Sequence, residues 1–343
     1  MNQSRNNSLL LRLWLMLLAP LLCSRVVAAD PLLADLFRKE PGVYTRIHAN
    51  GTAQTGSNMS PHPEMYLQGG PRGVAWQGST GDAELQLVGQ QKSITDVTVI
   101  NSTISERGVS GLAASGTIVR ADIKAKQPLG DEALAGWDNC RELTELTIGP
   151  VRWSEKSFAL LAALPKLRKL TIVGGTITGR GIARLSNHKI LTHLALQGVD
   201  LKDSGFAEYH SPALYMLDVN GCKLSPADVE NLAKLTSLAG LDIGATNLED
   251  ADMPKLLTLE KLASLTLAGT VVSFEGALQL KGLKKLNWVR YDGPPNVTWP
   301  EAGVQLQRLA DTLGWTFEGA CSCGCCDISP TPKPNPAAVV APR

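Results

Sequence analysis

The stretch LTSLAGLDIGATNLEDADMPKLLTLEK, running from Leu235 to Lys261, decides the fold. Leu238, Leu241 and Ile243 follow the pattern L-x-x-L-x-L, whose final alternation suits a strand with one buried face. Met253 and Leu256 lie three residues apart, the spacing of one face of a short helix. Strand, turn and helix together fill about two dozen residues, and neither element can bury its apolar face alone. Such a unit must stack on copies of itself.

Copies appear on both sides. Upstream the pattern starts at Ile94, Ile118, Leu143, Leu167, Leu191 and Leu214, and downstream at Leu262 and Leu283. The nine starts are separated by 24, 25, 24, 24, 23, 24, 24 and 21 residues. The helical pair keeps the same phase, at Val109/Leu112, Leu134/Trp137, Phe158/Leu161, Ile182/Leu185, Val229/Leu232, Met253/Leu256 and Phe274/Ala277. Helix-start signals precede several pairs. Thr178 stands before Gly-Arg-Gly, and Ser225 is a natural N-cap with Pro226 at the first helical position. The expectation is an α/β solenoid with a parallel concave sheet and convex helices.

These units resemble the leucine-rich repeat proteins, and within them the bacterial 24-residue class related to ribonuclease-inhibitor-like repeats. The resemblance covers about residues 82–291 and implies a horseshoe that binds another macromolecule. It names no partner, because such solenoids serve many. The sequence departs from the usual pattern at the ninth position of the unit. Ser102, Lys126, Val151, Gly175, Val199, Cys222, Thr246, Thr270 and Tyr291 stand where asparagine is common. A continuous asparagine ladder is therefore not expected, and Thr hydroxyls are the candidate replacements.

The flanks differ in character. Asn2 to Ser8 is polar and carries Arg5, Leu13 to Cys23 is apolar but shorter than the roughly 20 residues of a membrane span, and Val27 and Ala29 are small. Residues 1–29 thus read as an export signal cut before Asp30, giving a secreted or periplasmic protein with no membrane span in the mature chain. Residues 30–70 read as a poorly ordered linker with a short helix at Leu32–Arg38. Residues 71–93 read as an irregular N-terminal cap containing the helical run from Asp82, and the repeats occupy 94–291. A C-terminal cap follows over 292–320, with a helix from Glu301 to Leu313 and a closing strand at Trp315–Phe317. A cysteine cluster occupies 321–326, and a Pro-rich, disordered tail runs over 327–343.

Charge narrows the partner. The chain has 33 Lys+Arg against 32 Asp+Glu, so a strongly basic nucleic-acid binder is excluded as the default. Removing Arg5, Arg12 and Arg25 from the 33 leaves 30 basic residues against the same 32 acidic ones, a net charge of −2. The histidines at 48, 62, 188 and 210 show no metal-ligand spacing. There is no nucleophile elbow, phosphate loop or dinucleotide fingerprint, so no cofactor is implied and no enzyme is expected.

Two constellations remain. On the concave face, side chains between buried strand positions form columns. One reads Asp96, Arg120, Glu145, Lys169, His193, Met216, Gly240, Ser264 and Lys285. The next reads Thr98, Asp122, Thr147, Thr171, Ala195, Asp218, Asp242, Thr266 and Asn287. Glu145, Lys169, Thr171, His193, Gln197, Met216, Asp218 and Asp242 are the candidate binding residues for a protein or other macromolecular ligand. Asp218 and Asp242 sit one strand apart, about 5 Å, a separation that retaining glycosidases use, yet a solvated binding surface is the simpler reading. Thr171 is expected to face water.

The second constellation is Cys321, Cys323, Cys325 and Cys326. Four thiols in six residues suit disulfides, the reading that export to an oxidising compartment favours, with a soft metal or free redox chemistry as alternatives; the spacing is unlike the C-x₂-C of a zinc knuckle and no His lies nearby. They carry the alternative reading, a metal-binding or thiol-redox protein. Cys140 and Cys222 fall on repeat positions and are expected to be buried.

Overall fold

The computed structural model describes residues 44–47, 53–56, 73–77, 80–92, 94–203, 205–294, 297, 299–314, 316–317 and 327–329. The expected export signal, the Leu32–Arg38 helix, the four clustered cysteines and the tail beyond residue 329 lie outside these residues. The chain forms two compact units that divide between Ile148 and Gly149. Both are built from leucine-rich repeats, so the fold is an α/β leucine-rich-repeat solenoid.

In the first unit, after the short strands β1 (Tyr44–Ile47) and β2 (Ala53–Gly56), β3 (Gly73–Gln77), β4 (Asp96–Ser102) and β5 (Arg120–Gly130) run parallel to one another. Gly73 pairs with Asp96 and Asp96 with Arg120, offsets of 23 and 24 residues. The parallel sheet thus begins one strand before the first repeat of the sequence pattern, inside the segment expected as an irregular cap. GVAWQ carries a single leucine-like position, Val74, which is why the pattern does not reveal it. The helices Asp82–Gly89 and Glu106–Leu112 bury Leu85, Val88, Val109 and Leu112 against Val97, Val99 and Ile123. Each helix start is tied to its neighbour. Asp82 accepts from the backbone N–H and hydroxyl of Ser105, and Glu106 Oε1 accepts from Gly130 N at 2.7 Å.

Ahead of these strands, Tyr44–Ile47 and Ala53–Gly56 form an antiparallel pair, in residues expected to be linker. Asn50-Gly51, a dipeptide suited to tight hairpin turns, lies between them in sequence.

The second unit holds β7 (Lys169–Val173), β9 (His193–Gln197), β11 (Met216–Asp218), β12 (Gly240–Asp242), β13 (Ser264–Thr266) and β14 (Trp288–Arg290) in one parallel sheet. Outside the last repeat, the residues placed in the core by the repeat pattern are there. Leu170, Leu194, Leu217, Leu241 and Leu265 are at most 2% exposed, as are the helix-face residues Phe158, Leu161, Ile182 and Leu185. At roughly 1.5–3 kcal/mol for each fully buried aliphatic or aromatic side chain, this continuous seam is the main stabilising term. The helix starts form as expected. Ser225 Oγ accepts from Asp228 N at 3.1 Å, and Thr178 Oγ1 from Gly181 N at 3.2 Å.

Three features differ from expectation. The last repeat follows its predecessor by 24 residues and not 21, since Ser264 pairs with Trp288 and Thr266 with Arg290. It starts at Leu286, so Lys285 and Asn287 lie before the strand, and Tyr291 takes the buried sixth position rather than the ninth. The sequence Leu283-x-x-Leu286-x-Trp288 imitates the pattern three residues early. The tyrosine is held by its hydroxyl, which donates to Val272 O at 2.7 Å, and by an edge contact with Phe274 at 5.4 Å.

The repeat between Leu191 and Leu214 has no helix among its described residues. A turn at Gly205–Glu208 replaces it, and Phe206 and Tyr209, both 1% exposed, fill the space with rings 6.2 Å apart. Beside it β8 (Gly175–Thr178) pairs in parallel with Val151–Trp153 of β6 (Glu145–Trp153) and with β10 (Asp200–Lys202), a side branch of the same sheet. At the far end, Asp327–Ser329, in residues expected to be tail, pairs antiparallel with β14 and with the closing strand Thr316–Phe317.

The missing asparagine ladder has a backbone substitute. In the six repeats that start at Leu167, Leu191, Leu214, Leu238, Leu262 and Leu286 the eighth residue has a left-handed φ, at Gly174 (68°), Gly198 (61°), Gly221 (70°), Ala245 (51°), Gly269 (73°) and Gly293 (82°). Glycine takes this conformation without steric cost. It turns the N–H of the eighth residue toward the carbonyl of the next unit's seventh residue. Gly174 donates to Gln197, Gly198 to Asn220, Gly221 to Gly244 and Ala245 to Ala268, at 2.7–2.9 Å. The ladder ends where Gly269 N donates to the Asp292 carboxylate at 3.0 and 3.2 Å. Thr246 and Thr270 supply hydroxyls, as expected, each donating at 2.7 Å to the carbonyl three residues back.

Candidate functional site

The repeat phase sets the site, because strands locked by buried leucines hold every intervening residue in register on the open face. In the second unit the first row is Lys169, His193, Met216, Gly240, Ser264 and Trp288. The second row, two residues on and so about 7 Å further along the strands, is Thr171, Ala195, Asp218, Asp242, Thr266 and Arg290.

Seven of the eight expected binding residues belong to this unit. Lys169, His193 and Gln197 are exposed, and Met216, Asp218 and Asp242 are half-buried. Thr171 does not face water as expected. It is only 8% exposed, a short side chain in the interior of the sheet, paired with Ala195 on the next strand. Glu145 belongs to the first unit, where it is exposed at the start of the strand Glu145–Trp153.

The two carboxylates are held in place. Asp218 Oδ1 accepts from Asn220 N at 2.8 Å, and Oδ2 from Gln197 Nε2 at 2.6 Å. Asp242 Oδ1 accepts from Gly244 N at 2.9 Å and from Asn220 Nδ2 at 3.2 Å. Asn220 therefore bridges the pair. Gln197 and Asn220 form a third row; Asn220 is absent from the columns expected from sequence although it follows the strand position of Asp218 by two residues. Burial pushes the Asp218 carboxyl above the usual carboxylate range, against the hydrogen bonds from Gln197 and Asn220, and the charge of Asp242 adds to the rise.

Neither Asp218 nor Asp242 forms an ion pair among the described residues. His193 Nδ1 lies 2.8 Å from Thr192 Oγ1, and its ring sits 6.3 Å from Tyr215. Tyr215 is 53% exposed. Met216 lies across Gly240, where a Cβ would fall 2.0 Å from its Sδ.

On the helical side an open depression of about 1090 Å³ is lined by Glu155, Arg180, Arg184, His188, Lys189 and His210, among others. Arg184 pairs there with Glu155 at 2.7 Å. His188 is buried, its Nε2 lies 3.0 Å from Leu164 O, and burial lowers its pKa. The depression adjoins the repeat with no helix among its described residues, and no motif announces it.

Cys140 and Cys222 are buried free thiols, as expected, each pushed up to about 11 by burial. At such values they are inert as nucleophiles. Among the described residues no group of three or more His, Cys, Asp or Glu side chains is arranged to hold a metal ion. None of the described helices is long and apolar enough to cross a membrane.

No protein-family profile matches the chain, and no curated protein matches it in sequence. Among solved structures it is similar to an internalin from Listeria monocytogenes, with a TM-score of 0.40 and 15% identity over 63% of this chain and 79% of that one. It is also similar to internalin C2 from Listeria monocytogenes, with a TM-score of 0.42 and 19% identity over 58% and 81%. At these scores the likeness says nothing about what this chain binds.

Proposed function

We propose that this chain is an exported leucine-rich-repeat protein of the bacterial 24-residue class that binds another protein through the concave, open face of the second unit's sheet. The observation that carries the reading is the row of Lys169, His193, Gln197, Asp218 and Asp242, polar groups in fixed register on a rigid sheet. A partner need not order such groups, so affinity is not spent on loop entropy. The register offsets of 23 and 24 residues support the repeat class. The polar start, short apolar run and small residues at Val27 and Ala29 support export to the periplasm or medium.

The test is capture of the partner from the producing cell's envelope or medium, followed by charge reversal. Lys169→Glu with Asp218→Lys should weaken binding by a few kcal/mol and leave the thermal midpoint nearly unchanged. The matching controls are Arg180→Glu and Glu260→Lys, since both residues are exposed and form no ion pair among the described residues. Loss of binding from the controls alone would move the function to the helical side.

A further inference from the structure

The open face of the second unit is sorted into two chemically distinct rows. The first is apolar and aromatic in its middle, where exposed Tyr215 leans toward His193, Met216 covers the gap at Gly240, and half-buried Trp288 stands two strands beyond Gly240. The second row, about 7 Å away, holds Asp218 and Asp242 side by side. Two carboxylates about one strand spacing apart repel each other, and desolvation of Asp218 makes the repulsion harder for water to screen.

In the first unit two acids of the same rows have cations of their own. Asp96 pairs with Arg120 on the neighbouring strand, and Asp122 with Lys124 on its own strand at 3.4 Å. In the second unit no cation of the described residues plays that part for Asp218 or Asp242. Asp242 Oδ2 accepts no hydrogen bond among the described residues and remains available to a donor.

We infer that this face receives a protein segment whose Lys or Arg side chain seats between Asp218 and Asp242, while an apolar or aromatic side chain of the same segment packs on Tyr215 and Met216. The inference rests on the reading above and names the chemistry of the partner. A guanidinium or ammonium supplies several donors to two carboxylates and removes their mutual repulsion. The carboxylates are already fixed by Gln197, Asn220 and the backbone of Gly244, so they need not rearrange. An acidic segment is repelled.

Selection of short random peptides displayed on phage against the full chain tests this. Enriched peptides should carry Lys or Arg close to an aromatic or aliphatic residue. A selected peptide should bind the Asp218→Asn/Asp242→Asn variant at least about tenfold more weakly, and should lose affinity as salt rises, with the thermal midpoint of the variant not lowered. Failure to enrich any peptide, enrichment of peptides without basic residues, or equal binding to the double variant overturns the inference. A dimer of the full chain that the same substitutions split into monomers also overturns it, by giving the face to a second copy. The broader reading fails separately. If Lys169→Glu with Met216→Glu abolishes capture of the native partner but Asp218→Asn/Asp242→Asn does not, the face is right and the cation is wrong. If neither pair changes capture, the face itself is wrong.

Discussion

The sheet faces of the two units share one repeat and differ in how they treat charge. In the first, acids meet their own cations, Asp96 with Arg120 and Asp122 with Lys124. In the second, Asp218 and Asp242 are supported by amides, the side chains of Gln197 and Asn220 and the backbone N–H groups of Asn220 and Gly244. Amides hold a carboxylate in place without cancelling its charge. On the first face these two acids have cations of their own, whereas the second keeps a pair of charges that a partner can answer. A leucine-rich frame fixes where side chains stand, and these few intervening residues determine which stretch of sheet is available for recognition.

The largest test asks whether both faces stand on the frame described. Leu194 and Ile123 are 1% and 0% exposed, each in the buried row of its unit. Leu194→Asp and Ile123→Asp should each cost several kcal/mol, enough to abolish cooperative unfolding in a denaturant titration, because an unpaired charge would enter the seam. Lys169→Asp on the exposed row should cost under about 0.5 kcal/mol. Thr171→Asp should fall between, at roughly 1–3 kcal/mol, since Thr171 is nearly buried. Equal effects at Leu194 and Lys169 would mean that the faces are assigned to the wrong rows.

The frame was largely legible because burial forces the same apolar residues to recur wherever strands stack. Leu143 to Leu265 and the helix pairs follow from that alone. What escaped reading has local causes. Leu283 supplied a false start three residues early, so Trp288 and Arg290 were missed as face residues and Lys285 and Asn287 were taken in their place. Strand β3 lacks leucine. The turn glycines at the eighth position stand in the sequence as Gly174, Gly198, Gly221 and Gly269, but a glycine signals a left-handed φ without naming the partner of its N–H, so the backbone ladder is not legible there. The candidate site was legible as a column of residues. Its support was not, because the hydrogen bonds from Gln197 and Asn220 depend on side-chain geometry that periodicity does not carry.

A second test converts one face into the other. Ala195 pairs with Asp218 across the strand and is half-buried. Ala195→Lys would give Asp218 the cation that Asp96 already has. It should raise stability by about 0.2–1 kcal/mol, read by thermal or denaturant unfolding, and should weaken a cationic peptide about tenfold. Stabilisation without loss of binding would separate the unpaired charge from recognition.

A smaller effect concerns the turn that both units use. Asn101 and Ala245 hold left-handed φ values of 54° and 51° where glycine serves elsewhere. Asparagine tolerates this region, and alanine pays a steric cost. Ala245→Gly should therefore stabilise by about 0.5 kcal/mol once the added chain entropy of glycine is subtracted, whereas Asn101→Gly should change little. Chemical denaturation of the two variants side by side measures the difference.

The smallest effect is a pH slope, and it bears most directly on why the second face keeps its charge. Burial raises the carboxyl of Asp218, so the folded chain holds that proton more tightly than the unfolded chain does. As pH climbs through the carboxylate range, the folded state must surrender the proton at a less favourable pKa. Asp218 therefore contributes stability at low pH and withdraws it above the raised pKa. At neutral pH the ionised group is a net cost of folding, only partly offset by Gln197 and Asn220. Asp218→Asn preserves an acceptor for Asn220 N and removes the charge. It should raise the thermal midpoint at neutral pH by about 1–2 °C and flatten the pH dependence of stability above about pH 4. Asp242→Asn should add a smaller gain by removing the neighbouring charge. A lower midpoint at neutral pH would show that the hydrogen-bonded carboxylate stabilises the sheet, and the contrast between the two faces would then reflect folding rather than recognition.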